Sequence, residues 1–201
     1  MAKGACLLLL EDVECAINRS TEDDILYKLV RHGSICDAFH PAPPPPLVLG
    51  DVAAEAILAA LWDAGVYPRE VDQVNTHVKS TSLGDVVDIL ALCKTLLAYR
   101  EDCDAMPLLV ISTKTQTGHL LGAARALEAA FAALSVRGGL VPPNANLGGK
   151  VGDDAANALS GDSGEVEFQS VVMRRGIQVE ISISFGFGGI NVSLVFQMFE
   201  P

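Results

Sequence analysis

Between Leu108 and Gly139 the chain runs from an unbroken apolar stretch, Leu108-Leu109-Val110-Ile111-Ser112, through the polar turn Thr113-Lys114-Thr115-Gln116-Thr117-Gly118-His119, into an alanine-rich segment that extends to about Val136. A short continuous apolar run suits a strand covered on both faces. The alanine-rich segment is a strong helix former, and Gly138-Gly139 supplies its stop. Strand, tight turn and helix in that order constrain the chain to a layered α/β arrangement. They also bring Lys114, His119 and the free N–H groups of the helix start towards one point. With His119 opening the helix, the partial positive charge of the helix N-terminus disfavours its protonation and keeps it a neutral N–H donor. A neutral imidazole beside a lysine suits a site where negative charge develops on a carbonyl oxygen. The alternative is a satisfied histidine that caps a core helix.

The remaining pattern is mixed α/β. Ala5 to Leu10 reads as a short buried strand, Asp12 to Arg19 as a helix and Asp24 to Val30 as a second strand, with Gly33 to Pro46 as loop. The run Pro43-Pro44-Pro45-Pro46 favours an extended path and reads as a stiff connector, or as a ligand of SH3 type. Asp51 to Ala64 is a helix with Asp51 as cap and Gly65 as stop, and Trp62 is expected to pack on its face. Val71 to Thr76 is a strand leading to His77. Ser82 and Asp85 approximate a capping box for a helix from Asp85 to Tyr99. Glu101 to Asp104 is a charged loop, and Pro142 to Gly164 a polar one. Val166 to Met173 is a strand. Ile177 to Ser184 and Ile190 to Phe199 form a hairpin around Phe185-Gly186-Phe187-Gly188-Gly189.

Composition narrows the function classes. The formal charge of −11 leaves no basic field for nucleic acid. No apolar run reaches the roughly 18 residues that span a bilayer. Half of the residues are hydrophobic, and the mean hydropathy of +0.34 hints at apolar surface meant for a partner. Cys6, Cys15, Cys36, Cys93 and Cys103 form no C-x-x-C pair, so neither a zinc site nor a disulfide framework is expected, and the compartment reads as reducing. Cys6, Cys15 and Cys93 read as packing, Cys36 and Cys103 as loop residues. Cys6 to Leu10 is too short for a signal segment, which leaves an upstream targeting region open.

The chemistry centres on two histidines. His77 and His119 each stand just after a strand and ahead of a helix, and loops beyond strand C-termini in layered α/β folds face one crevice. Asp85, Lys114 and Glu128 are placed to orient them, and Glu128 can reach back to Lys114 as an internal ion pair. Taken alone, Asp85 and Glu128 also read as surface helix charge. The Phe-Gly-Phe-Gly-Gly turn is followed by a strand, so it is not a dinucleotide loop. Its glycines let Phe187 act as a gate, or the turn is a hairpin with two core phenylalanines. His32 and His40 fall in loop-like sequence and carry no assignment.

In combination these motifs resemble the elongating β-ketoacyl-ACP synthases, specifically their C-terminal half. The resemblance rests on Asp37-Ala38-Phe39-His40, on Asn75-Thr76-His77-Val78-Lys79-Ser80-Thr81-Ser82-Leu83-Gly84-Asp85, and on Ser112-Thr113-Lys114 with Thr117-Gly118-His119-Leu120-Leu121-Gly122-Ala123-Ala124. Val141-Pro142-Pro143 with Asn146-Leu147, and Ser184-Phe185-Gly186-Phe187-Gly188-Gly189 with Asn191, complete it. It implies the α/β thiolase-like fold, with residues 1–28 as a remnant of the N-terminal half and 29–201 as the C-terminal synthase domain. It further implies His77, His119 and Lys114 as catalytic, Asp85, Glu128 and Thr81 as supporting, and Phe185 and Phe187 as gating. No cofactor or metal is implied. The implied partners are acyl carrier protein, malonyl and acyl thioesters, and the N-terminal half or a full-length synthase, in an enzyme that dimerises. The compartment would be cytoplasmic, mitochondrial or plastid. None of the five cysteines matches the family's nucleophile motif, so the chain alone is expected to be inactive, or to be a non-catalytic partner of a full synthase. Val78 and Lys79 stand where the family has small and hydroxylated residues, Arg125 where it has glycine, and Ile183 and Ile190 where it has polar residues.

Overall fold

The computed structural model describes residues 1–19, 25–39, 50–100, 106–147 and 166–200. His40, the proline run, Cys103, the loop around Glu101 to Asp104 and the expected polar loop from residue 148 to Gly164 lie outside the described residues. Helix α1 spans Val13–Arg19, strand β1 Lys28–Cys36, α2 Asp51–Ala64, β2 Gln73–Asn75, and α3 Ser82–Leu92, which continues as a π-type turn over Cys93–Leu97. There follow β3 Leu108–Ile111, the single-turn α4 Lys114–Thr117, α5 Ala124–Gly138, β4 Leu140–Val141, β5 Val166–Glu167, β6 Met173–Arg174, β7 Val179–Gly186 and β8 Ile190–Gln197.

The main sheet has the order β1-β8-β7-β2-β3-β5, and β4 pairs separately with β6. Strands β7, β2, β3 and β5 run parallel, while β8 lies antiparallel to both β7 and β1. Strand alternation splits the interior in two. Leu108, Val110, Val179, Ile181 and Ile183 point to the face covered by α2 and α3, where they join Ile57, Leu61, Leu92 and Leu96. Leu109, Ile111 and Phe196 point the other way and meet Ala129, Ala132 and Val136 of α5. The result is a three-layer α/β sandwich.

Close approach of α2 to β1 depends on Gly33. A Cβ there would lie 2.1 Å from the carbonyl oxygen of Ala56, so only a glycine lets the alanine face of α2 settle on the strand. Gly65 ends α2 in the left-handed region at φ 67°, its N–H turned back to Leu61 and Trp62 carbonyls.

Several sequence expectations change. Ala5 to Leu10 is not a strand: Leu7 is 99% exposed and Leu9 80%, while Leu8 packs against the α5-side core and Cys6 is half-buried. An apolar run becomes a strand only where a neighbouring edge completes its ladder, and no described strand pairs with this one. The second strand is displaced from Asp24–Val30 to Lys28–Cys36, so His32 and Cys36 are strand residues; a polar, largely exposed strand is held by its ladder to β8 and shows no apolar alternation. Trp62 is 87% exposed, because the buried stripe of α2 runs through Ile57, Ala60 and Leu61 and the next residue swings off it. Asp51 caps nothing; Gly50 is the N-cap, and Asp51 pairs with Lys94. Helix α3 begins at Ser82 with Thr81 as N-cap, one residue ahead of the expected cap, and Thr81 makes no side-chain cap bond. The expected strand from Val166 to Met173 is two short strands in two sheets. Cys15 is exposed and does not pack, while Cys6 and Cys93 are half-buried. The hairpin of β7 and β8, the strand Leu108–Ile111 and the Gly139 stop of α5 stand where the sequence puts them.

Candidate active site

Because β1, β7, β2 and β3 run the same way, Asp37, Phe185, His77 and Lys114 all emerge at one edge of the sheet. The crevice beyond strand C-termini is where layered α/β folds bind ligands. Here it is a cavity of about 440 Å³, walled in part by His77, His119, Glu128, Phe185 and Phe187.

Each side chain is held by short backbone segments. Thr76 donates its N–H (2.8 Å) and hydroxyl (3.0 Å) to the carbonyl of Ile111, which ties the end of β2 to the end of β3. Asn75 donates through Nδ2 to Thr113 Oγ1 (3.1 Å) and accepts the Thr113 N–H (3.3 Å). Ser112 donates its hydroxyl to the carbonyl of Val78 (2.8 Å). These bonds fix the His77 loop against the Lys114 turn. Buried Asn144 clamps the same corner, accepting the Ser112 N–H at 2.7 Å and donating to the Val110 carbonyl at 2.9 Å.

The rings of His77 and His119 meet edge to face, with centroids 5.5 Å apart and planes at 85°, and Phe185 packs on His77 at 5.4 Å. Burial first, then the charges of Lys114, Lys79, His119 and Arg125, push His77 down to about 2. It is a neutral imidazole, 4% exposed, and neither ring nitrogen has a partner among the described residues. His119 is also lowered, by burial and then by Lys114 and Lys79. Its Nδ1 accepts the N–H of Leu121 (3.2 Å), which leaves Nε2–H as the free donor. The neutral state matches the sequence expectation, but its cause does not. His119 precedes a 3₁₀ turn over Leu121–Ala123 and lies outside α5, so the helix dipole is not what keeps it neutral.

Behind the rings, Lys114 forms an ion pair with Glu128 Oε1 and reaches the carbonyl of Thr76 at 3.4 Å, while Ser184 donates to Glu128 Oε2 at 3.2 Å. Burial pushes the Glu128 carboxyl up, and Lys114 pulls it back. Thus His77, His119, Lys114, Glu128 and Phe185 come together, and Phe187 stands 78% exposed at the cavity mouth. Asp85 and Thr81 stay outside the cavity wall; Asp85 Oδ1 accepts the N–H groups of Lys79 (3.3 Å) and Thr81 (3.2 Å) and so shapes the loop. Among the described residues no group of three His, Cys, Asp or Glu side chains is placed to hold a metal. No helix among them is long and apolar enough to cross a membrane.

Sequence reasoning missed Asp88 and Asn144. Asp88 is fully buried and accepts the His77 N–H on Oδ1 (3.3 Å); burial pushes its carboxyl up to about 8. Its signal was available, since it stands one helical turn after Asp85 among apolar neighbours.

A three-layer α/β unit whose parallel strands deliver two neutral imidazoles and a buried Lys–Glu pair to one crevice is one half of a thiolase-like ketosynthase. Solved structures agree. A β-ketoacyl synthase from Burkholderia phymatum superposes with a TM-score of 0.77 at 27% identity, over 94% of this chain and 41% of that one. A ketosynthase in complex with its chain length factor from Xenorhabdus doucetiae gives 0.67 at 29% identity, over 85% and 39%. Residues 29–148 match the beta-ketoacyl synthase C-terminal domain, and the chain belongs to that family. Among curated relatives, a putative mitochondrial 3-oxoacyl-[acyl-carrier-protein] synthase of Schizosaccharomyces pombe is 35% identical over 99% of this chain and 44% of its own length. The 3-oxoacyl-[acyl-carrier-protein] synthase 2 of Staphylococcus aureus is 34% identical over 100% and 44%. The chain thus spans less than half the length of the relatives it matches.

Proposed function

We propose that this chain supplies the histidine half of a decarboxylating β-ketoacyl-ACP synthase of fatty acid synthesis. In this reading residues 29–201 form the second half of the fold, residues 1–28 end the first half, and the nucleophilic cysteine lies on polypeptide outside the chain. The observation that carries it is the edge-on pair of neutral imidazoles over the buried Lys114–Glu128 pair. When malonyl-ACP loses CO₂, the electron pair of the breaking C–C bond flows onto the thioester oxygen. Two neutral N–H donors, His77 buried and His119 half-buried, stabilise that charge without a proton having to leave first. Lys114 orders Glu128, and its positive charge raises the cost of protonating either ring, so both stay neutral donors. Phe185 and Phe187 border the acyl chain.

None of the four described cysteines lines the cavity, and without an acyl-enzyme there is no electrophile to attack. The isolated chain is therefore expected to give no 3-oxoacyl-ACP from acyl-ACP and malonyl-ACP. Co-expression with the N-terminal half of a relative, cysteine included, is expected to give product that His77→Ala or His119→Ala abolishes. Turnover by the isolated chain overturns the reading.

A second reading, a non-catalytic partner of a full-length synthase, is favoured by the row of exposed apolar side chains at Leu7, Leu9, Leu10, Val13 and Ile17. Tight co-elution with a full-length synthase, together with no product on reconstitution, would select it.

A further inference from the structure

The cavity carries a charge that a neutral acyl chain does not call for. Arg125 lines it from the first turn of α5, with its guanidinium against Gly186: a Cβ on that glycine would stand 2.5 Å from Nη2. Gly186 lies between Phe185 and Phe187, so the cation stands where an acyl chain would need an apolar wall. Among the described residues Arg125 has neither an ion pair nor a hydrogen bond, although it is half-buried. Lys79 lines the same cavity. Of the two carboxylates lining the cavity, Glu128 is bonded by Lys114 and Ser184 and meets Arg125 only through its charge, and Asp37 accepts the Phe39 N–H at 3.0 Å. Helix α5 has no acidic residue in its first turn to offset its own positive end. Counting Lys114 behind the wall, three cations face two carboxylates here, within a chain of net charge −11. A second observation points independently to a ligand. Both ring nitrogens of His77, 4% exposed and facing the cavity, are without partners, a state that buried polar groups avoid unless something polar binds.

Covering Arg125 with a hydrocarbon would desolvate an unpaired cation, which is costly, whereas a carboxylate would satisfy it with charge-assisted hydrogen bonds. Resting on the ketosynthase reading above, we propose that Arg125, aided by Lys79, makes this cavity a site for an acyl donor that bears a distal carboxylate, a dicarboxylic half-thioester of succinyl type. Arg125 is then a specificity-determining residue. The thioester oxygen goes to the imidazoles and the far carboxylate to the guanidinium, so the ligand carries its charge at the end opposite the reacting carbon.

Calorimetric titration of the full chain tests this with three probes that need no turnover: succinyl-pantetheine, butyryl-pantetheine of equal chain length, and butyryl-4′-phosphopantetheine. Succinyl-pantetheine is expected to bind about tenfold or more tightly than the butyryl compound, with the gap narrowing in roughly 0.5 M salt. In Arg125→Met, which keeps the bulk and removes the charge, the gap is expected to close while thermal stability stays at the parent value. Lys79→Met is expected to narrow it less. Equal binding of the two acyl groups, no binding of either, or a preference that survives Arg125→Met overturns the proposal. So does an Arg125-dependent preference for the phosphorylated probe, which would put the anion at the pantetheine phosphate. A chain that passes here but never condenses on reconstitution refutes only the ketosynthase reading. One that condenses neutral acyl groups and shows no carboxylate preference refutes only this inference.

Discussion

His77 stands with its ring edge-on to that of His119 and its backbone N–H on the carboxyl of Asp88, so one residue joins the cavity to the buried base of α3. Its folded pKa is pushed down to about 2, against an unfolded value near 6.5. Below the unfolded value the denatured chain binds a proton that the native ring refuses, so this group's contribution to stability is lost as pH falls from about 6.5. His119 acts in the same direction. Between pH 6 and 5, wild type is expected to lose about 1 kcal/mol more than His77→Gln. Urea melts at the two pH values check this; parallel curves would show that the ring is already solvated.

Asp88 works with the opposite sign. Its folded carboxyl titrates at about 8 against roughly 4 when unfolded, so it is neutral at the pH where the denatured chain has released its proton. Its contribution is complete below about pH 4 and is lost as pH rises through about 8. Asp88→Asn keeps an acceptor for the His77 N–H and removes the titration. Its stability is expected to be flatter than wild type between pH 5 and 8, by up to about 1 kcal/mol per pH unit. The same melts, run across that window, read it directly.

Where local pattern and tertiary burial agree, the sequence was legible. The run Leu108 to Ile111 is apolar on both sides and is buried on both, and Lys114 meets Glu128 because α4 and the first half of α5 both face the end of β3. Legibility failed where a neighbour decides. Strand β1 is polar and exists through β8; Ala5 to Leu10 is apolar and, among the described residues, lacks a partner edge. His119 was judged by its distance from a helix start that the 3₁₀ turn at Leu121 moves to Ala124. At the site, the two histidines were readable from their place after strands. Asn144 is not readable, because it bonds backbone groups of β3 and the turn after it, more than 30 residues away, whereas Asp88 shows only as an acid among apolar neighbours one turn after Asp85.

Trp62, the chain's one tryptophan, gives a cheap check of how α2 is turned. It stands 87% exposed beside Tyr67 and Tyr99. Its emission is expected near that of free indole in water, with strong quenching by iodide. Trp62→Ala is expected to change stability by no more than about 0.5 kcal/mol, as for an exposed site without partners in the core. A blue-shifted, protected tryptophan in the isolated chain would mean that α2 is rotated or that this face is covered.

Lys114 and Glu128 are 3% and 4% exposed at the side chain, so little water reaches either charge and each compensates the other. Removing one leaves the other uncompensated, and breaking a buried pair in this way costs about 3–5 kcal/mol. Glu128→Gln and Lys114→Met are each expected to fall in that range by urea denaturation. The Glu128 change also alters the acceptor that Ser184 uses. The double variant Lys114→Met, Glu128→Leu replaces both charges with apolar groups of similar size, and it is expected to lose much less than the sum of the two single changes. Strict additivity would show that the two charges are solvated separately. Loss of the double variant's fold alongside near-neutral single variants would place the stabilisation in packing around the two stems and not in the ion pair.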